Sequence, residues 1–520
     1  MLVPGSFART DEQELYAQLG IWAIGPHAVS FKSQMASSFI LKPLVERLNK
    51  QFPAVNAAIG VLGVFYAKQA GLGIDEHTVQ KQYSRAIVLQ RAALTASSVQ
   101  SFPTGIAALV LSYAELLARR RNNSYFHSRA AQNLLGLASS ETWPNERSSD
   151  LTHRTVNHSP ESACSVSLLE DGLHEFMYAV DTQAALHTDG SRKPGLPPLS
   201  WSLPDPLDTD HSSRQRTLTA TMHAACHFAA HASNHTTNGE QSRHAIMRQQ
   251  GRFLGALRLW TSLMDKQSQL RIKPSTDTIS VDAGRMLINR SMCICLIIVL
   301  SVMSGEDESK WDAYSSNFQE IVVSAESVLG AMNARKQEFR KAFHVASGVI
   351  SPLLLVATKY RDSLWRHKAI TLLQLCSREG FWSATMSAAV AARAAQIEEF
   401  GKFDVAEKTS ASSVLARQRP SPTGVVEDGS LLAMIPVGNR INTIRILDDE
   451  SASHNEVCPA EDEGLITLSF LQERHRSEDG RPCIWWERRE RLWMQPLTPP
   501  LLVETLYLGE CLRPEGMGLM

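Results

Sequence analysis

The feature that most constrains this chain is a run of apolar and amphipathic segments at helical spacing through its first third. FPAVNAAIGVLGVFYAKQAG places Pro53 in a first helical turn and Gly71 at a stop. Val79, Tyr83, Ala86, Ile87, Gln90 and Leu94 then recur mostly at helical steps, which predicts an amphipathic helix. A third helix is expected through GIAALVLSYAELLARR and a fourth through HSRAAQNLLGLA. Helix follows helix without the regular strand alternation of an α/β enzyme. The expected fold is therefore mainly α: a multi-helical body with a small β-rich C-terminal segment.

Composition then divides the chain. Residues 1–138 form the first helical part. Ser, Thr, Pro, His and Asp dominate 139–216, where PGLPPLSWSLPDP cannot hold a helix. That stretch reads as a polar insertion, largely disordered, with one short helix around Leu168 to Val180. Helices resume from about Leu218 and fill 217–400, with Ser351 and Pro352 as an N-cap and first-turn pair. Residues 401–430 are a polar linker. In 431–520 the segments RINTIRIL, LITLSFL and CIWW carry the branched and aromatic residues of strands.

Bulk properties exclude more than they assign. The 52 basic residues balance 53 acidic ones, so the basic excess of a dedicated nucleic-acid binder is missing. The eight cysteines are scattered, and only Cys293 and Cys295 are close, a pattern that fits a reducing interior. No basic start followed by an apolar run opens the sequence. The most apolar stretch, Met292 to Met303, is shorter than the ~20 residues that span a bilayer, and a buried helix is expected there.

The search for catalytic motifs is mostly negative. Gly71-Leu72-Gly73 lacks the third glycine of a dinucleotide loop, no phosphate-binding loop ends in Lys-Ser or Lys-Thr, and no nucleophile elbow occurs. His174-Glu175 opens like a zinc-protease helix, but Tyr178 stands at the second histidine's place. One constellation is unusual: His223, His227, His231 and His235 recur every fourth position, with Cys226 alongside. On a helix they share one face, where imidazoles can hold a metal ion. The plainer expectation, and the one adopted, is a polar and partly exposed helix face, with no metal and no cofactor. Arg119 to Arg121 with Arg129 read as the basic end of a helix, Cys293 and Cys295 as inert core thiols, and Trp485 and Trp486 as packing residues.

Two stretches resemble a known family. FPAVNAAIGVLGVFYAKQ, QYSRAIVLQRAAL, GIAALVLSYAELL and HSRAAQNLL follow in the order that opens the fungus-specific transcription factor regulatory domain. That domain is the middle homology region of fungal binuclear zinc-cluster transcription factors. GVISPLLLVATKYRDSLWRHKAITLLQLCSREGFWSATMSAAVAARAAQIEE is similar to the family's late stretch, through Arg361, Asp362, Arg366, Ala369, Ile370, Leu372, Leu373, Glu379, Gly380 and Trp382. Read physically, Leu364, Ala369, Leu372, Leu373 and Cys376 form a helical stripe. Gly380 can end a helix in the left-handed region and let Trp382 turn inward, and Arg361 or Arg366 can pair with Glu379 or Asp362.

The resemblance implies a nuclear regulator of transcription, with a share in the cytoplasm and a secondary-metabolite gene cluster as its target. Relatives commonly begin with a six-cysteine zinc cluster. The first cysteine here is Cys164, so no DNA-binding residue carries over and no direct DNA contact is expected. The implied partners are a DNA-bound transcription factor or other regulatory protein, a small-molecule effector and a homo- or heterodimer mate. No membrane and no enzymatic role are expected. The alternative is a helical scaffold for protein or small-molecule binding with no transcriptional role.

Overall fold

The computed structural model describes residues 12–24, 45–69, 72–96, 101–118, 120–135, 178, 181–182, 201–205, 211–232, 240–271, 281–303, 308–334, 343–344, 348–376, 378–379, 382–400, 435, 440–441, 443–447, 464–475, 484–494 and 501–511. The fold is mainly α with a small β segment at the C-terminal end. The linker 401–430, Gly71, Gly380 and most of the polar insertion lie outside the described residues.

The first helices are α1 (Glu12–Ile24), α2 (Pro53–Gln69), α3 (Glu76–Thr95), α4 (Ser101–Leu117) and α5 (Arg121–Leu134). Pro53 opens α2 as its composition predicts. Asp75 caps α3 by accepting the Thr78 N–H at 2.6 Å, and that bond holds its carboxyl below the usual range. Val79, Ala86 and Gln90 of the predicted stripe are buried, while Leu94 is exposed. Helices α1 and α2 meet backbone to backbone. A Cβ on Gly63 would strike the Tyr16 carbonyl, and one on Gly20 that of Ile59, so this crossing requires glycine on both helices.

The second body contains α6 (His211–Ala232), α7 (Glu240–Arg271), α8 (Val281–Val302), a 3-10 turn (Glu308–Tyr314) and α9 (Ser315–Ala334). It continues with α10 (Ile350–Lys359), α11 (Ser363–Leu375) and α12 (Ala384–Phe400). Helix α6 starts at His211, inside the stretch read as insertion and ahead of Leu218. Helix α8 is apolar on two sides because it serves two cores. Ile294, Ile298 and Val302 pack against α9 to α12, and Cys293, Leu296 and Leu300 against α6 and α7. By length and composition α8 would also fit across a bilayer, but 67% of that window is buried in protein.

Strands β1 (Phe343–His344) and β2 (Arg378–Glu379) pair in parallel. Strands β3 (Thr443–Leu447), β4 (Gly464–His475), β5 (Ile484–Met494) and β6 (Leu501–Cys511) form an antiparallel meander in the order β3-β4-β5-β6. The first three of these follow the predicted segments; LLVETLYLGEC, unassigned from sequence, supplies the fourth. Leu468, Phe470 and Leu492 bury against Met386, Val390 and Ala394 of α12. The other side of α12 presents Ala384, Ala388, Ala391 and Ala395 to the helical core. Its alanines let a helix lie between two layers.

Candidate functional site

Three residues of the predicted histidine face, His223, His227 and His231, lie on α6. His223, however, is 1% exposed, which corrects the expectation of a partly exposed polar face. The reason is a partner from the insertion: Asp181 accepts from His223 Nε2 at 3.1 Å, and the Tyr178 ring stands edge-on to the imidazole at 4.6 Å. A carboxylate only accepts, so Nε2 carries the proton, and that nitrogen is taken. Burial, then Asp181, pushes the Tyr178 hydroxyl up to about 12. The His227 ring is 6.2 Å from that of His223. The His231 side chain and all of His235 lie outside the described residues. Among the described residues no group of three His, Cys, Asp or Glu side chains could hold a metal ion. Tyr178 also belongs to the core of α1 to α5, so this contact joins the first body to the second.

The strongest polar assembly surrounds α10, where both ends are capped by charges from other elements. At its start the buried Glu379 carboxylate accepts the N–H groups of Gly348, Val349 and Ile350 at 2.8, 3.1 and 3.1 Å. At its end Arg366 Nε donates to the Ala357 carbonyl at 2.8 Å and Nη2 to Thr358 at 3.4 Å. Anion at the N-terminus and cation at the C-terminus satisfy orphan backbone groups and oppose the helix dipole. This corrects the sequence reading. Ser351 is not the cap: α10 begins at Ile350, its flanking Val349 offers no side-chain cap, and a remote carboxylate takes the role.

The expected pairing of Arg361 or Arg366 with Glu379 or Asp362 is also corrected. Glu379 is occupied by backbone donors, and Asp362 caps α11 by accepting from Trp365 N–H at 3.2 Å. The guanidinium groups turn instead to Glu398 on α12, which meets Arg361 at 3.0 Å and Arg366 at 2.5 Å with every side chain 0% exposed. Glu308 adds bonds to Lys359 and Arg361, each at 2.9 Å. Burial lowers the Lys359 ammonium, with Glu308 opposing it. The Ile441 N–H donates to Glu398 at 2.6 Å, and its carbonyl accepts from Lys359 at 3.3 Å, so the network grips the chain entering the sheet. Two further pairs fasten the same junction. Arg393 grips the buried Glu490 of β5 at 2.6 and 2.8 Å, and Arg440 meets Asp312 at 2.9 Å. Leu364, assigned to the buried stripe, is 67% exposed, because α11 turns that position outward to bring Arg366 in.

A third cluster lies in the first body. Tyr83 Oη is 3.0 Å from His127 Nε2, and the Asn123 amide donates to Glu115 at 3.4 Å. Glu115 is fully buried, and burial pushes its carboxyl up; burial likewise pushes His127 down. Both shifts favour neutral forms. Arg120 flanks the cluster, 5.4 Å over the Phe65 ring and 3.7 Å from Glu76. It precedes α5 and so is not the basic last turn of a helix. The core thiols Cys293 and Cys295 are buried and pushed up to about 12 by burial.

Sequence reasoning missed Asp181, Glu308, Glu398 and Glu490. None of them belongs to a local motif, and what marks each is a buried partner from another part of the chain. Compared with models of protein families, with curated proteins and with solved structures, the chain gives no match.

Proposed function

We propose that this chain is the regulatory body of a transcription regulator of the fungal type, acting in the nucleus through a DNA-bound partner. A secondary-metabolite gene cluster is its expected target. One observation carries the reading: the helical order and the residues that resemble the middle homology region. Its support in the fold is the role of those residues. Arg361, Arg366 and Glu379 are buried and brace α10 against its neighbours, and Trp382 is buried beside them. Such residues preserve a scaffold whose surfaces and contents are free to vary, as a regulatory body needs. These 520 residues contain no six-cysteine cluster, so in this reading their own contribution is to meet the DNA-bound protein and an effector.

The test is deletion of the gene with transcript profiling, together with imaging of a tagged full-length chain. Coordinated change in a clustered gene set and a nuclear signal are expected. Unchanged transcripts with an exclusively cytosolic protein would overturn the proposal and favour the non-transcriptional scaffold.

A further inference from the structure

The longest helix carries the clearest surface signal. Helix α7 buries Phe253, Ala256, Leu257, Trp260 and Met264 on one side. Turned about 100° per residue, the opposite side presents Gly251 and Gly255 at its centre, with Arg248 and Lys266 on one flank and Met247 and Arg258 on the other. All of these are exposed. Arg248, Arg258 and Lys266 make no ion pair with a described residue. No acidic residue falls between Glu240 and Asp265, and Asp265 is bound by Arg290 at 2.7 Å. A chain of net charge −1 thus places a one-signed face on a single helix.

We propose that this face docks an acidic helix of a partner protein. The cations require an acidic occupant, which argues against a second copy meeting α7 on α7, since that would set cation against cation. The choice of a helix over a nucleic acid rests on the centre of the face. Glycine within a helix weakens it relative to alanine. No described residue lies within 4 Å of where a Cβ at Gly251 or Gly255 would sit, so packing among the described residues does not explain either one. Two glycines one turn apart, in line with the exposed Met247, leave a shallow apolar trough. A second helix can settle there below the usual ~8–10 Å axial separation. Phosphates are met by extended Arg and Lys side chains and need no such trough. The inference uses only this surface and does not rest on the transcriptional reading.

The probe is a synthetic helical peptide with an alanine stripe flanked by glutamates, titrated by calorimetry into the full chain. Binding is expected, weaker at higher salt, and reduced about tenfold or more by R248E/R258E and by G251L/G255L. No described residue packs against the glycine positions, so the leucine variant should keep the parent's circular dichroism and melting profile. Absence of peptide binding to the parent, or binding indifferent to both double variants, overturns the proposal. It is also overturned if a DNA duplex binds through Arg248 and Arg258 regardless of the leucines, or if the face instead drives self-association in sedimentation.

Discussion

The two helical bodies solve the problem of buried polarity in opposite ways. In α2 to α5, Tyr83, Glu115 and His127 are arranged so that burial favours their uncharged forms. In α10 to α12, Arg361 and Arg366 both meet Glu398 directly, and Arg366 also reaches backbone carbonyls. The difference follows from what is being held. The first body closes mostly on apolar surface, with neutral hydrogen bonds such as Ser112 to Ser124 between its helices and with α1 and α2 in backbone contact. The second must fix a short helix and then anchor the sheet segment, so it uses directional charged bonds that define one geometry.

That contrast is broken most directly at Glu398. Glu398→Ala leaves the buried Arg366 guanidinium without its carboxylate and Arg361 with Glu308 alone, and should cost about 3–5 kcal/mol, read as a fall in denaturant midpoint. A loss as small as that of an exposed pair would mean that water reaches the network. Gly63→Ala tests the other side, where overpacking against the Tyr16 carbonyl should cost about 1–3 kcal/mol or more. A neutral result would show that α1 is not held as described.

Glu379→Gln retains an acceptor but removes the charge at the α10 N-terminus, for an expected loss of about 1–2 kcal/mol. Hydrogen exchange should rise at Gly348 to Ile350 before it rises elsewhere; uniform exchange would refute the cap. The smallest effect is in pH. The depressed His127 contributes stability that is present above about pH 6.5 and lost as pH falls, because the unfolded chain takes up the proton first. Glu115, raised by burial, works in the other direction: its contribution is present below about pH 4.5 and lost as pH rises through the folded value. His127→Gln should therefore flatten the stability profile near pH 6, measured by thermal melts, and an unchanged profile would place the ring in contact with water.

Much of this architecture is legible from spacing. Pro53 marks a helix start, the stripe through Val79 and Ala86 marks a buried face, and the branched residues around Ile466 and Trp485 mark strands. The signal is local, since a helix repeats every ~3.6 residues and a strand every two. The strand Leu501–Cys511 escaped because its apolar residues, LLV and then LYL, come in runs and do not alternate with polar ones. The sites escaped for a stronger reason. Arg393 and Glu490 are 97 residues apart in sequence, His223 and Asp181 are 42 apart, and Arg361 and Glu398 are 37 apart.

The sequence by itself determined the mainly α character, the placement of most helices and strands, and the opposition of polar and apolar faces. Each of these depends on hydrophobic periodicity, which neighbouring residues carry between them. Tertiary structure alone decided which charges are buried and what meets them. A buried ion is tolerable only where its partner arrives from another element, and no pattern along the chain records that arrival. It also decided that the histidine ladder begins as a joint between two helical bodies.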